Sequence, residues 1–448
     1  MLQPLRGFRD FYPETMVARR KVFEKMIEVV RRFGFREIDT PSVEGLELFK
    51  LKSGPDIVEE TFSFVDKGGR EVTLIPELTP SVARMISARR KVLTFPQKWY
   101  SLGKMWRYEE PQSGRLREFY QLNVDIFGAD NVETDAEIIA VSIEIMKALG
   151  IENEIVVKIS HRQLIQGILE CMGVQNVEEA MHVIDKKDKI GEEEFNQRLI
   201  GAGLREEIIP KLREILSIRR ELGKEAIAEV KKAVENLLPF SSKRIEVLEM
   251  TPGLSAALHA AEKLEKLCTY LELYEVEKHC MLDLGLVRGL SYYTGVVFEG
   301  FDIHGNFRAI FGGGRYDNLI ELFGDMKVPA VGFAIGDAVL EQVLKKAGKW
   351  YPEKLQTDFF VAFTNPDFYP LAVRIAKVLR GQGFSVEIDL LKRNLEKQLK
   401  YADRIGAGRV IIIGDEELKE GKVRVKNMET GEQENIELRN ILGEEKRN

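Results

Sequence analysis

The sequence predicts an α+β chain: a sheet-based domain split by a helical insert, followed by a small α/β domain. Three observations carry that expectation. In Glu118–Phe127, apolar Tyr120, Leu122, Val124 and Ile126 alternate with polar Gln121, Asn123 and Asp125, the period of a strand with two unlike faces. From about residue 164 to 245, Lys and Glu dominate, apolar residues recur at helical intervals and proline is scarce. Beyond residue 356, strand-like and helix-like runs alternate, as a largely parallel sheet with crossover helices requires.

In chain order, Val22, Phe23, Met26, Ile27, Val29, Val30 and Phe33 keep helical spacing over residues 22–33, and Gly34 is a natural stop. Residues 35–41 read as a short strand ending at Pro41. Two strands, 98–106 and Glu118–Phe127, flank a loop that begins at Arg107 and ends at Arg115-Leu116-Arg117. A glycine- and tyrosine-rich stretch, 286–295, precedes the apolar run 296–298, and Gly312-Gly313-Gly314-Arg315-Tyr316-Asp317 follows. Residues 348–356 read as a linker. Then come strand 359–363, helix 371–380, strand 385–388, helix 395–405 and strand 410–413. Gly406-Ala407-Gly408 precedes a strand instead of following one, which excludes a dinucleotide-binding turn. The expected units are 1–163 and 246–347 for the sheet-based domain, 164–245 for the insert and 357–448 for the last domain.

Composition narrows the classes. The 448 residues, 44% of them hydrophobic, suffice for more than one packed core. No apolar run is long enough to span a membrane, and residues 1–13 lack the apolar centre of a signal peptide. Three scattered cysteines, Cys171, Cys268 and Cys280, argue against a disulfide framework or a structural zinc site and for a reducing, cytoplasmic setting. A net charge of −6 speaks against indiscriminate nucleic-acid binding but leaves room for local basic patches. The five histidines form no ligand-spaced cluster, so no bound metal is expected.

The chemistry-bearing residues sit in three places. Arginines at both ends of the 107–117 loop either pair with its own acids on the surface or converge on a polyanion such as a triphosphate. The polar face of Glu118–Phe127 is either wet or lines a polar cavity. Arg288-Gly289-Leu290-Ser291-Tyr292-Tyr293 offers a permanently charged fork beside two hydroxyls.

Arg288 to Tyr293 resembles the arginine-glycine-leucine-x-tyrosine-tyrosine signature of histidyl-tRNA synthetases, and Gly312 to Asp317 resembles that family's glycine-glycine-arginine-tyrosine-aspartate segment. The likeness extends over nearly the whole chain. It implies a class II synthetase catalytic domain, an antiparallel sheet with helices, plus a C-terminal α/β anticodon-binding domain. It implies a homodimer built on a first motif that ends at Pro41. The 107–117 loop resembles the second class II motif, which implies that Arg107 contacts the α-phosphate of ATP, Glu109 the adenine amino group and Arg115 the γ-phosphate. The loop tip would face the tRNA acceptor end, with Gln112 reading the extra guanosine of histidine tRNA. Pro76-Glu77-Leu78-Thr79 resembles a segment in which Glu77 receives the substrate's α-ammonium beside Thr79 and Gln121. Asp125 would meet the imidazole with Tyr293 and Tyr316, and Arg288 would touch both histidine and, opposite Arg107, the α-phosphate. Magnesium would accompany ATP without a protein cage of its own. Lys392, Arg393, Lys397 and Lys400 would contact anticodon phosphates.

The chain departs from the pattern in places. Val339 stands where the third class II motif has an arginine, Asp337-Ala338 replace leucine-glutamate, Ser291 replaces an aspartate, and Ile75 stands where an arginine often precedes the proline-glutamate pair. Either another arginine, Arg315 or Arg117, stands in for the missing one, or this lineage binds ATP differently. The implied activity is ATP-dependent attachment of histidine to its tRNA through a histidyl-adenylate. The alternative is a non-catalytic paralogue serving as histidine-sensing regulatory subunit of ATP phosphoribosyltransferase. That subunit typically lacks both the anticodon module and the tyrosine-pair signature.

Overall fold

The computed structural model describes residues 2–53, 55–187, 189–237, 251–287, 292–324, 326–351 and 357–443. The chain divides into two compact units, Met1–Asp10 with Val22–Trp350, and Phe11–Lys21 with Tyr351–Asn448. Residues 352–356, most of the expected linker, lie outside the described residues, as do Arg288 and Ser291.

In the first unit the strands are β1 (Arg36–Glu37), β2 (Val43–Gly45), β3 (Ser63–Val65), β4 (Glu71–Leu74), β5 (Gln97–Trp106), β6 (Glu118–Phe127), β7 (Ile155–His161), β8 (Arg219–Glu221), β9 (Cys280–Asp283), β10 (Val296–Asp302), β11 (Phe311–Arg315) and β12 (Ala330–Gly336). Nine of them form one sheet in the order β1-β5-β6-β12-β11-β10-β7-β9-β8. All neighbours are antiparallel except β1 with β5 and β7 with β9. Strands β2, β4 and β3 make a small separate sheet.

The register explains where the sheet opens. Asp125 of β6 pairs with Gly332 of β12, Asn123 with Ala334, and Gln121 with Gly336. One strand further, Gly332 pairs with Gly314 of β11 and Ala334 with Gly312. Every polar residue on this face of β6 therefore faces a neighbour with little or no side chain, and the face is hollow. On the opposite face Leu122, Val124 and Ile126 are buried in the main core, which also takes in helices Val132–Leu149 and Pro252–Leu273. The hollow is thus backed by a packed wall.

The helix expected over 22–33 begins earlier, at Pro13, whose ring suits a first helical turn, and runs to Arg32. Gly34, with φ +82, ends it. The strand expected over 35–41 shrinks to β1, two residues long. The stretch expected to be helical does hold helices at Arg162–Cys171, Val177–Asp185, Glu192–Gly201, Ile209–Leu216 and Lys224–Glu235. It also contributes β8, an edge strand of the main sheet paired with β9. Its apolar residues belong to the same core as the sheet. Helix Arg162–Cys171 crosses Pro252–Leu273 so closely that a Cβ on Gly167 would stand 2.4 Å from the Gly253 carbonyl oxygen.

The second unit has its own five-stranded sheet: β13 (Thr357–Phe363), β14 (Val386–Ile388), β15 (Ala407–Ile413), β16 (Lys422–Asn427) and β17 (Gln433–Glu437), in the order β14-β13-β15-β16-β17. The first three are parallel, as the alternation predicts, with crossover helices Tyr369–Gly381 and Leu395–Arg404. An antiparallel hairpin, β16 and β17, extends them. Among the described residues, no helix is long and apolar enough to cross a membrane.

Candidate active site

The hollow contains two adjoining cavities. The inner one, about 90 Å³, is lined by Glu77, Thr79, Arg107, Gln121, Asn123, Asp125, Tyr292, Tyr293, Tyr316 and the small residues of β11 and β12. The outer one, about 230 Å³, is lined by Arg107, Glu109, Arg115, Phe119 and Val339, with 309–312 as its far wall. Arg107, Gln121, Gly312 and Ala334 belong to both. The alternative of a merely wet strand face is excluded, because Asn123 and Asp125 are buried.

At the floor of the inner cavity the Tyr316 hydroxyl donates to Asp125 Oδ1. Burial pushes the Asp125 carboxyl up to about 7, against the hydroxyl's pull in the other direction. The Tyr316 phenol is raised well above its ordinary value by burial and by that carboxylate. Tyr292 stacks tilted on Tyr293 at 4.6 Å and meets Tyr316 edge-on at 5.9 Å, so three rings wall the carboxyl. A cationic or hydrogen-bonding ring inserted here finds an acid poised to share one proton and aromatic faces on its flanks.

Towards the mouth, Lys52 donates to both Glu77 carboxylate oxygens at 2.5 Å and lies 4.2 Å above the Tyr292 ring. A carboxylate and an aromatic face already hold one primary ammonium in this place.

The strand pair β5–β6 positions the arginine loop. Arg107 Nε donates to the Pro76 carbonyl at 3.0 Å, and its guanidinium lies 5.2 Å from the Phe119 ring. Among the described residues no carboxylate pairs with Arg107. Arg115 is ion-paired with Glu109 at 2.9 Å. Gln112 and Arg115 close a tight turn by exchanging backbone hydrogen bonds of 3.0 and 2.9 Å, and Gly114 supplies the φ of +74 that turn needs.

Both arginines named as stand-ins for the missing one are committed elsewhere, which leaves the alternative that this lineage binds ATP differently. Arg315 is 4% exposed, donates to Asp135 and Asp317, and also to the carbonyls of Ala129 and Asn131. It lines a different cavity, with His161 and Lys263, and not the arginine-lined one. Arg117 donates to the Glu109 carbonyl and lies 4.5 Å over the Tyr108 ring, and it lines neither cavity. Val339 does reach the outer cavity, where a Cβ on Gly114 would touch it at 3.0 Å, so the loop closes on the place an arginine would occupy.

Of the anticipated residues, Glu77, Thr79, Arg107, Gln121, Asp125, Tyr293 and Tyr316 come together around the inner cavity, and Glu109 and Arg115 join Arg107 around the outer one. Gln112 stands exposed at the loop tip. Arg288 lies outside the described residues. In the second unit Lys392 and Lys397 are exposed, and Lys400 pairs with Glu396 at 2.6 Å on the surface. Arg393 is paired at 2.9 Å with fully buried Asp389 and stacked 4.1 Å over Tyr401.

Sequence reading missed Lys52, Tyr292 and Asn123 as site residues. The last two were signalled, by the tyrosine pair and by the polar period of β6. Lys52 had no signal. Among the described residues, no group of three or more His, Cys, Asp or Glu is arranged to hold a metal ion.

An antiparallel sheet whose hollow face joins an acidic, ring-lined pocket to an arginine-lined cavity defines a class II aminoacyl-tRNA synthetase catalytic domain. Comparison with known proteins agrees. Residues 7–339 match the histidyl-tRNA synthetase family model and residues 358–447 the anticodon binding domain. A histidine–tRNA ligase of Haloarcula marismortui is 43% identical, covering 99% of this chain and 98% of the relative. One from Pyrococcus furiosus is 40% identical over 99% and 98%. The crystal structure of histidyl-tRNA synthetase from Nostoc sp. PCC 7120 superposes with a TM-score of 0.79 at 26% identity, covering all of both chains. The chain belongs to the histidyl-tRNA synthetase family.

Proposed function

We propose that the chain attaches histidine to its tRNA in two ATP-dependent steps, with histidine in the inner cavity and ATP in the outer one. The observation that carries this reading is Arg107, a wall of both cavities and unneutralised by any carboxylate among the described residues. The α-phosphorus must lie where a carboxylate held in one cavity meets a triphosphate held in the other, and a fixed cation belongs there.

In this reading Asp125 and Tyr316 take the imidazole, Glu77 takes the α-ammonium in place of Lys52, and Thr79, Gln121 and Tyr293 complete the polar lining. One histidine carboxylate oxygen attacks the α-phosphorus, the bond to the bridging oxygen breaks, and pyrophosphate leaves. The terminal ribose hydroxyl of tRNA then attacks the acyl carbon of the adenylate and releases AMP. Neither step needs a covalent protein intermediate. Both need positioning and positive charge where negative charge grows. Arg107 supplies that charge, with Arg288 as its partner on the far side. Glu109 is assigned to the adenine amino group, Arg115 to the γ-phosphate, and magnesium enters with ATP as part of the substrate.

Gln112 is assigned to the acceptor end of tRNA, and Lys392, Arg393, Lys397 and Lys400 to the anticodon arm. The homodimer and cytoplasmic setting implied by the resemblance belong to the same reading. The regulatory-subunit alternative is less well supported, since the chain carries a full anticodon-domain match. A solved structure from Bacillus halodurans described as an ATP phosphoribosyltransferase regulatory subunit/histidyl-tRNA synthetase has a TM-score of 0.73 at 23% identity, a likeness of fold alone. The test is ATP–pyrophosphate exchange by the unaltered protein with each amino acid in turn. Exchange with histidine alone supports the reading, and no exchange despite measurable histidine binding overturns it in favour of the regulator.

A further inference from the structure

Charge around the outer cavity does not balance a triphosphate. Of its lining arginines, Arg115 is already paired with Glu109 at 2.9 Å, which leaves Arg107 at the inner end as the only lining arginine without a carboxylate among the described residues. Val339 adds an apolar wall, and a Cβ on Gly114 would stand 3.0 Å from its Cγ2. Beside the magnesium that accompanies ATP, a further cation at this end would strengthen the hold on its terminal phosphate.

One stands at its rim. Arg308 immediately precedes Ala309-Ile310-Phe311-Gly312, the far wall of the cavity. It is exposed, and its Nη2 donates to Gln112 Oε1 at 2.8 Å. Gln112 in turn exchanges both backbone hydrogen bonds with Arg115. Arg308 thus reaches across the cavity mouth to the loop turn that carries Arg115. No carboxylate pairs with it among the described residues, and its neutral amide partner is a weak competitor for a phosphate. Its side chain comes from the residue leading into the segment 309–312 and that of Arg115 from the loop, so the hydrogen bond to Gln112 joins the two segments that carry these guanidinium groups.

We propose that Arg308 binds the terminal phosphate of ATP, releasing Gln112 as it does so, and thereby supplies the charge that Val339 does not. This rests on the placing of ATP in the outer cavity. The contact is made to a phosphate that AMP lacks, and so it separates the two nucleotides.

The experiment compares unaltered protein with Arg308→Ala and Arg308→Lys. Equilibrium binding of ATP and of AMP is measured together with KM values in histidine-dependent exchange. Arg308→Ala is expected to weaken ATP binding and raise its KM about tenfold, roughly the worth of one charge-assisted hydrogen bond. AMP binding and the KM for histidine should stay within twofold, and Arg308→Lys should fall between. Equal weakening of ATP and AMP would mark a structural role and overturn the inference. So would unchanged ATP binding with only the transfer to tRNA slowed, which would give this arginine to the acceptor stem. If the unaltered protein itself shows no histidine-dependent exchange, the functional reading fails, and that outcome is distinct from both.

Discussion

Asp125→Asn should weaken histidine binding while making the empty protein more stable at alkaline pH. The carboxyl is buried and its pKa is raised from 3.8 to about 7. Between those values the folded protein keeps a proton that the unfolded chain has already lost. Stability from this group is therefore greatest at low pH, falls as pH rises from about 4, and levels out once the folded group ionises above 7. At ~1.4 kcal/mol per pH unit, three units amount to roughly 4 kcal/mol, to be taken as an order of magnitude. The asparagine variant has no such titration, so its melting temperature should exceed that of the unaltered protein at pH 8 by several degrees and match it near pH 4. A bound imidazolium reverses the balance, because it supplies the counter-charge that ionised Asp125 lacks in the empty pocket. A hydrogen bond to a charged group is worth ~1.5–3 kcal/mol, so the variant's KM for histidine should rise roughly 10- to 150-fold. The assay is ATP–pyrophosphate exchange with histidine titrated, alongside melts at pH 4 and pH 8. A KM within threefold of the unaltered value, or indistinguishable melts at pH 8, would refute the reasoning.

Three further expectations follow from the same geometry. Gly332→Ala places a Cβ 1.9 Å from Asp125 Oδ1, so the KM for histidine should rise about tenfold or more while ATP binding stays near normal; an unchanged histidine KM would show the hollow to be unrelated to histidine. Lys52→Met strips the Glu77 carboxylate of an ammonium whose side chain is 1% exposed, at a cost of about 3–5 kcal/mol in the empty protein. Histidine, whose ammonium restores the pair, should then raise the variant's melting temperature more than it raises that of the unaltered protein, and equal shifts would contradict the assignment of Glu77. Arg315→Met should destabilise the fold by a similar ~3–5 kcal/mol, since Asp135 at 2.7 Å and Asp317 at 3.1 Å lose their partner. Its folded fraction should bind ATP normally; a selective loss of ATP affinity would return Arg315 to the nucleotide site.

Much of the site was legible because its residues obey local periods. The two-residue alternation in β6 marked both the buried wall and the polar face, and the arginine-bounded loop marked the turn between β5 and β6. What the local pattern did not disclose was pairing. The glycines of β11 and β12 acquire meaning only once register sets Gly332 beside Asp125 and Gly314 beside Gly332. Lys52 reaches Glu77 from a helix of unremarkable composition, Glu47–Ser53, across 25 positions of sequence. Arg315 was misplaced for a related reason: alternation along β11 turns its side chain into the acidic cluster at the start of helix Val132–Leu149, a partner no short-range pattern names. Strand β8 was hidden by its charge, since Arg219, Arg220 and Glu221 are all exposed at the sheet edge.

The most direct test of the account replaces Arg107, the one arginine among the described residues that lines both cavities. Arg107→Ala should remain folded, with a melting temperature close to that of the unaltered protein, and should lose on the order of 10²–10³ in the rate of histidine-dependent ATP–pyrophosphate exchange. Exchange within a few-fold of normal in that folded variant would contradict the placing of the reacting phosphorus between the two cavities.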